Sequence, residues 1–443
     1  MNNQLTRRLT LFQATAINMI DMVGIGPFVT LPLVIGLMNG PHFLYAWIAG
    51  AVLSIVDAMV WSEYGAALPL AGGTYNFLKE AYGPGKLGKM LSFLFVWQTC
   101  IQAPLVIASA AIGFASYLSY FYPLTTMASK AVSGGVVILI VVLLYRKIDE
   151  IGKISVMLWV GVLLIMVWII GGGFMQGHMM EPIKHINDTV ELNWLFVVGL
   201  GTGMVKSVYS YLGYYNVCHL GGEIINPGKN IPRSMFISIM GIAVLYLGMN
   251  IAVTSVIPWQ EAMKNNYVVS TYIEHISGHT AANVATILIL WVAFASVFSA
   301  TLGYSRIPYA AAVDGSFFKI FGKLHPTKNF PHISLLMLGA VAFVFSLLFK
   351  IVHVISAILA MRIMIQFIGQ AAGLILLRRK RKAADMPYRM PWYPLPVILA
   401  IIIWIFIFIS TGWFMMGGLI VSATGIIAYL LLANRNKWWP FDV

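Results

Sequence analysis

The chain has 443 residues, of which 60% are hydrophobic and only 10% charged, and it carries a formal net charge of +13. A water-soluble protein of this length needs far more charge to cover its surface, so the composition excludes that class and places the chain in a bilayer. The net positive charge suggests nucleic acid only until its distribution along the chain is considered.

Apolar runs of about 20 residues, the length that crosses about 30 Å of hydrocarbon, recur along almost the whole sequence. Twelve spans are predicted, starting at about residues 14, 43, 91, 131, 153, 194, 233, 282, 333, 354, 394 and 414. No small-residue cleavage site follows the first run, which is therefore expected to be a retained span and not a removed signal peptide. With a cytoplasmic N-terminus, 22 of the 28 Lys and Arg residues fall inside. Four fall outside, Lys130, Lys184, Lys264 and Lys350, and Lys206 and Arg362 lie within spans. This positive-inside pattern predicts that both termini are cytoplasmic in a plasma (inner) membrane protein. It also accounts for the basic block at residues 378–382 without nucleic acid, with anionic lipid as a further contact.

The first span, "INMIDMVGIGPFVTLP" (residues 17–32), holds Asp21, then Gly24 and Gly26 around Ile25, then Pro27. Proline lacks an N–H and suits the first turn of a new helix. Glycine permits backbone angles and close approach that other residues resist. Span 1 therefore reads as two half-helices with an unwound stretch between them. The N–H groups near Ile25, Gly26 and Phe28 are then unpaired at a positive dipole end, and the carbonyls that end the first half are unpaired too. In a bilayer such groups are tolerated only where they line a cavity or meet a ligand. Donors for an anion beside acceptors for a cation suit a zwitterion. A kinked but unbroken helix is the competing reading of "GIGP" alone.

Span 6, "KSVYSYLGYYNVCHLGGE" (residues 206–223), holds Gly213 among polar and aromatic residues, a second break that favours a site. Spans 1–5 and 6–10 would then be two inverted halves, with matching breaks pointing to a transporter's centre. The predicted fold is an all-α integral membrane protein with twelve transmembrane helices in a five-plus-five inverted repeat. The repeats cover about residues 10–175 and 192–378, and two further helices lie at about 392–434. Cys100 and Cys218 fall in apolar segments and read as small buried hydrophobes. The histidines are scattered without metal-ligand spacing, so neither a metal nor a cofactor is expected.

Four motifs in order resemble the amino acid–polyamine–organocation transporter superfamily. They are Gly24-Ile25-Gly26; "EYGAALPLAGGTYNFLKEAYGP" (63–84); "EIINPGKNIPRSM" (223–235); and "GYSRIPYAAAVDGSFFKIFGKLHPTKNFPHISLL" (303–336). The resemblance implies alternating access, with substrate backbone groups held by main-chain atoms at the two breaks. Carried onto this chain, it places a carboxylate near Ile25 and Gly26, and an ammonium near the carbonyls of Met22, Tyr209 and Leu212. Tyr209 aligns with an aromatic gate, and Tyr211, Gly213, Tyr214 and Tyr215 lie close to the pocket or its closing layer. The chain departs from some relatives at three places. Trp159, not Lys153, is nearer the position of a sodium-substituting lysine. Ala300 replaces an occluding tryptophan. Ser296 and Ser299 are near positions that line a sodium site in distant relatives.

Asp21, Asp57, Lys206 and Arg362 lie at membrane depth, where ionisable groups usually face a cavity or a partner. Asp21 and Lys206, each about a turn before a break, are the coupling candidates, because burial can bring their protonation change into the physiological range. A fixed internal ion pair is the alternative. Arg362 reads as a snorkelling residue and Asp57 as a packing one. Glu63, Glu223, Arg233, Arg306 and Asp314, near the cytoplasmic ends, are expected to form an inner gate of ion pairs or to cap helices.

The reading is a secondary active transporter of amino acids, leaning to a zwitterionic substrate, with proton coupling and exchange both open. A polyamine or other organic amine is the alternative cargo, and a non-transporting membrane sensor or partner protein the alternative class. No clustered nucleophile or acid–base set suggests an enzyme, and no Walker loop suggests an ATP-driven pump.

Overall fold

A computed structural model describes residues 5–441, apart from 177, 188–189 and 350, so Lys350 lies outside the described residues. The chain is helical, and among the described residues its only β pairing is two isolated bridges, Leu9 with Ile224 and Ala71 with Leu220.

Helix α1 (Leu11–Met22) starts on a capping box, in which the Thr10 side chain accepts from the Gln13 N–H and the Gln13 side chain answers the Thr10 N–H. It stops before residues 23–25, and α2 (Gly26–Met38) resumes with Pro27 in its first turn. The two halves bend by 43°. There follow α3 (Leu44–Ala67), α4 (Thr74–Tyr82), α5 (Leu87–Leu118), α6 (Thr126–Leu144), α7 (Ile148–Gln176) and the short α8 (Glu181–Lys184). Helix α9 (Trp194–Tyr211) ends at the second break, and α10 (Asn216–His219) is a single turn beyond it. Then come α11 (Pro227–Val256), α12 (Trp259–Ala262), α13 (Val268–Ser277), α14 (His279–Tyr304) and α15 (Arg306–Val313). Helix α16 (His332–Leu348) is followed by α17 (Ile351–Arg362), which passes through a π-helical segment, Ile363–Gly369, into α18 (Gln370–Lys380). Helices α19 (Leu395–Ser410) and α20 (Phe414–Asn436) close the chain.

Among the described residues eight helices are long and apolar enough to cross a membrane, and the bent α1–α2 pair makes a ninth. Helices α16 and α19 are apolar but shorter, at 17 and 16 residues. The outer faces are greasy: Val142, Val167, Ile402 and Leu431 are all exposed. In water this surface would drive aggregation; in hydrocarbon it is what a membrane face requires.

The broken segments sit inside, not at the periphery. Helix α1 packs on α7, α11 and α14, while α2 packs on α9. Polar groups tie the core together. Asp57 of α3 is buried and accepts from the Tyr214 hydroxyl at 2.5 Å and from the Trp404 indole N–H of α19 at 3.1 Å. Trp404 in turn stacks on Phe367 of the π segment, with centroids 3.9 Å apart. The sequence assigns Asp57 to packing, and it performs that task by anchoring Tyr214 within the second break.

Removing this acceptor strands two buried donors, which costs about 1–3 kcal/mol for each group left unsatisfied. Asp57→Val is expected to lower the thermal unfolding midpoint in detergent clearly, and Asp57→Asn, which keeps one carbonyl acceptor, to lower it much less.

Candidate functional site at the crossing of two helix breaks

The two interruptions meet. Gly213 has φ +123°, a conformation that a side chain strains, and a Cβ there would sit 2.8 Å from Asp21 C and Met22 N. A Cβ on Gly26 would lie 3.2 Å from Ser210 Oγ and 3.4 Å from the Tyr209 ring. Only glycine lets the two backbones approach so closely. Thr30 and Ser210 hydroxyls, 2.9 Å apart, join α2 to α9 beside this contact.

The peptide groups released by the breaks are only partly reused. Val23 N–H donates to Met19 O at 2.8 Å, and Gly24 N–H to Met22 O at 3.0 Å. Among the described residues the N–H groups of Ile25, Gly26 and Phe28 donate to no backbone carbonyl. They form the start of α2, where unpaired donors and the helix dipole together favour an anion. On the acceptor side, the Tyr246 hydroxyl of α11 lies 2.6 Å from Met22 O and 3.0 Å from Ser210 O. A hydroxyl has one proton to give, so it bonds one of these carbonyls at a time, Met22 O keeping the Gly24 N–H as its other donor.

Around the crossing is a cavity of about 40 Å³. Asp21, Met22, Gly24, Ile25 and Gly26 form its α1–α2 wall, and Tyr209, Ser210, Leu212, Gly213 and Tyr215 its opposite wall. Ser296 and Tyr304 of α14 and Ile358 and Arg362 of α17 complete it, with Val106 and Ala110 of α5. Of the eight backbone-recognition residues expected from sequence, Met22, Ile25, Gly26, Tyr209, Leu212 and Gly213 border the cavity. Tyr211 and Tyr214 do not. Tyr211 is two residues from Tyr209, on the far side of the helix, and packs between Trp47 and Tyr246 at centroid distances of 6.1 and 5.1 Å. Tyr214 is turned toward Asp57.

The two coupling candidates part company. Asp21 borders the cavity, whereas the Lys206 ammonium donates to Ser356 Oγ at 2.9 Å and does not line it. Arg362, expected to snorkel, is instead 2% exposed and faces the cavity. Its flanking Met361 and Ile363 give no directional signal, and the π segment that follows it contains no proline to announce it.

Ser296 lines the cavity close to Gly24, but the Ser299 hydroxyl is engaged elsewhere, donating to Ile17 O at 2.8 Å. Asn216 Nδ2 bonds Ser299 O and Oγ, each at 3.0 Å, and Val217 N–H bonds Asn18 Oδ1 at 2.9 Å. This mesh clamps α1, α10 and α14 together below the breaks. Lys153 is exposed, and Trp159 packs edge-on against Phe12.

Toward the end carrying the N-terminal segment, ion pairs join separate elements. Arg306 and Glu223, both buried, pair through two bonds of 2.8 and 3.2 Å. The Glu223 carbonyl also receives the N–H groups of Arg8 and Leu9, each at 2.9 Å. Glu63 grips Arg378 at 2.5 and 2.6 Å and accepts from Met390 N–H. Asp314 holds Lys79 and the Tyr75 hydroxyl. Of the five gate residues expected, four form such contacts, and Arg233 is exposed on α11.

Residues 9–433 match the family model described as amino acid permease. The chain is 21% identical to the branched-chain amino acid permease BcaP of Bacillus subtilis, over 98% of this chain and 94% of that protein. It is 24% identical to the serine/threonine exchanger SteT of the same organism, covering 96% and 93%. It is 22% identical to the Bacillus subtilis methylthioribose transporter, covering 98% and 95%.

Gly213→Ala is expected to weaken ligand binding by about tenfold or more, since forcing a side chain into this backbone conformation costs about 1–3 kcal/mol before the clash with Asp21 is counted. Gly135→Ala, where an added Cβ meets nothing within 4 Å, is the matched control and should bind as wild type in the same titration.

Proposed function

The chain belongs to the amino acid permease family, and on that premise we propose that it is a secondary transporter holding an amino acid's backbone between the breaks at residues 23–25 and 212–215. The carboxylate is received by the N–H groups of Ile25 and Gly26. The ammonium is received by the carbonyls near Met22, Tyr209 and Leu212, with Asp21 alongside. Leu212 and Gly213 shape the opposite wall, and Tyr209 closes over it. The observation that carries this reading is the contact of the two breaks, which sets unpaired donors and partly satisfied acceptors around one cavity. A three-proton ammonium can serve both Met22 O and Ser210 O, which share a single Tyr246 proton.

The need for an opening motion follows from size. A cavity of about 40 Å³ has room for a few waters, while ligand pockets run to about 300–1,000 Å³. Entry therefore requires the walls to part, and the Glu223–Arg306, Glu63–Arg378 and Asp314–Lys79 contacts are the bonds that break on one side. In this reading α1–α2 and α9–α10 are spans 1 and 6 of twelve. The five-plus-five inverted repeat covers about 10–175 and 192–378, with α19 and α20 outside it, and both termini are cytoplasmic in the plasma membrane. Tyr211 and Tyr214 serve as its backing, behind the surface that meets substrate. Lys206, on Ser356, stays a coupling group to be tested beside Asp21. The relatives' names specify different cargoes, so none is inherited. A polyamine is disfavoured, because it has no carboxylate to meet the Ile25 and Gly26 N–H groups or the Arg362 guanidinium.

Purified protein in liposomes should take up at least one labelled amino acid and show counterflow with it; failure of both across the common amino acids would favour a non-transporting sensor. If Asp21 carries a coupling proton, an inward proton gradient accelerates uptake by wild type, and Asp21→Asn loses that acceleration while keeping counterflow. Uptake that depends only on internal amino acid, with no response to the gradient, assigns the protein as an exchanger. Lys206→Met should leave the gradient response intact if Lys206 is structural.

A further inference from the structure

Arg306 and Arg378, two arginines sunk deep into the fold, each hold a carboxylate through paired hydrogen bonds. Arg362, as deeply buried as Arg306, has no carboxylate within ion-pairing distance among the described residues. Its Nε donates to Gln366 Oε1 at 2.8 Å, and its buried Nη2 has no hydrogen-bond partner. The guanidinium lies 4.9 Å over the Tyr215 ring and 5.7 Å over that of Tyr304. Aromatic faces on a guanidinium fix its plane and leave its N–H edge to meet a ligand. Tyr215, Tyr304 and Arg362 all border the cavity.

Asp21 shares the cavity but lies beyond ion-pairing distance, so the guanidinium is buried without a directly bonded carboxylate, which is costly, and its fork geometry fits a carboxylate better than any other small group. We propose that Arg362 receives a second carboxylate of the substrate, making the cargo a dicarboxylic amino acid. The inference rests on the backbone site at the two breaks. With such a substrate every charge is matched: the α-carboxylate at the start of α2, the ammonium beside Asp21, and the side-chain carboxylate on Arg362. A neutral side chain would leave the guanidinium edge uncompensated in the loaded cavity. The competing arrangement is a water-bridged internal pair of Arg362 with Asp21, in which the arginine never meets substrate.

The test is calorimetric titration of the purified full-length protein with glutamate, aspartate, glutamine and asparagine, in wild type, Arg362→Gln and Arg362→Lys. Each amide is nearly isosteric with its acid, so the acid-to-amide affinity ratio isolates the second carboxylate. Wild type should prefer the acids, and Arg362→Gln should reduce that ratio by about 100-fold, the scale for removing one partner of a buried charge pair. Arg362→Lys, which keeps charge but not the fork, should fall between them. Wild type that binds the amides as well as or better than the acids overturns the inference while leaving the backbone site standing, as does Arg362→Gln with an unchanged ratio. Binding of none of the four, with neutral apolar amino acids bound, also overturns it alone. Binding of no amino acid at all overturns the backbone site. If Arg362→Gln does not fold, the wild-type ratio decides by itself.

Discussion

In hydrocarbon a peptide N–H or C=O without a partner costs several kcal/mol, which is why membrane spans are ordinarily unbroken helices. Here two helices break against each other, Gly213 lying on the backbone of Asp21 and Met22. The resulting donors at Ile25 and Gly26 and acceptors at Met22 and Ser210 are concentrated where the fold also leaves its small central cavity. The rest of the core is arranged to tolerate this exposure. Tyr246 lends one proton to two carbonyls, and Ser299, Asn216 and Asn18 stitch the flanking turns with side-chain bonds.

The supports differ in kind from the site they surround. Asp57, Tyr214 and Trp404 form a fully satisfied buried cluster, which gives the second break a rigid back. The cavity groups are under-satisfied: Arg362 keeps a free Nη2, and the Ile25 and Gly26 amides lack backbone acceptors. The ion pairs near the N-terminal segment each join separate elements, Glu223 with α15 and Glu63 with α18. They can break as units when those elements separate, without unravelling a helix.

Much of this was legible in the sequence. Gly24-Ile25-Gly26-Pro27 and Gly213 announce the breaks through their own backbone chemistry, and helices begin within six residues of each expected span start. The charges were harder. Asp21 borders the cavity and Lys206 does not, though each stands about one turn before a break, because sequence spacing fixes a face and not the reach of a long side chain. Arg362 reads as snorkelling from sequence because its apolar neighbours carry no direction, yet the structure buries it against the cavity. Tyr211 was placed near the pocket by proximity to the break, although helical geometry turns it away from Tyr209. Asp57 could not reveal its partner Trp404, because no local signal links positions 347 residues apart.

The most direct test is an experimental density map of the protein with a bound amino acid. The account requires the ligand's carboxylate within hydrogen-bonding distance of the Ile25 and Gly26 amides and its ammonium beside the Met22 and Ser210 carbonyls. A ligand seated elsewhere, for instance against Lys206, with α1–α2 and α9–α10 continuous through residues 23–25 and 212–215, would contradict it.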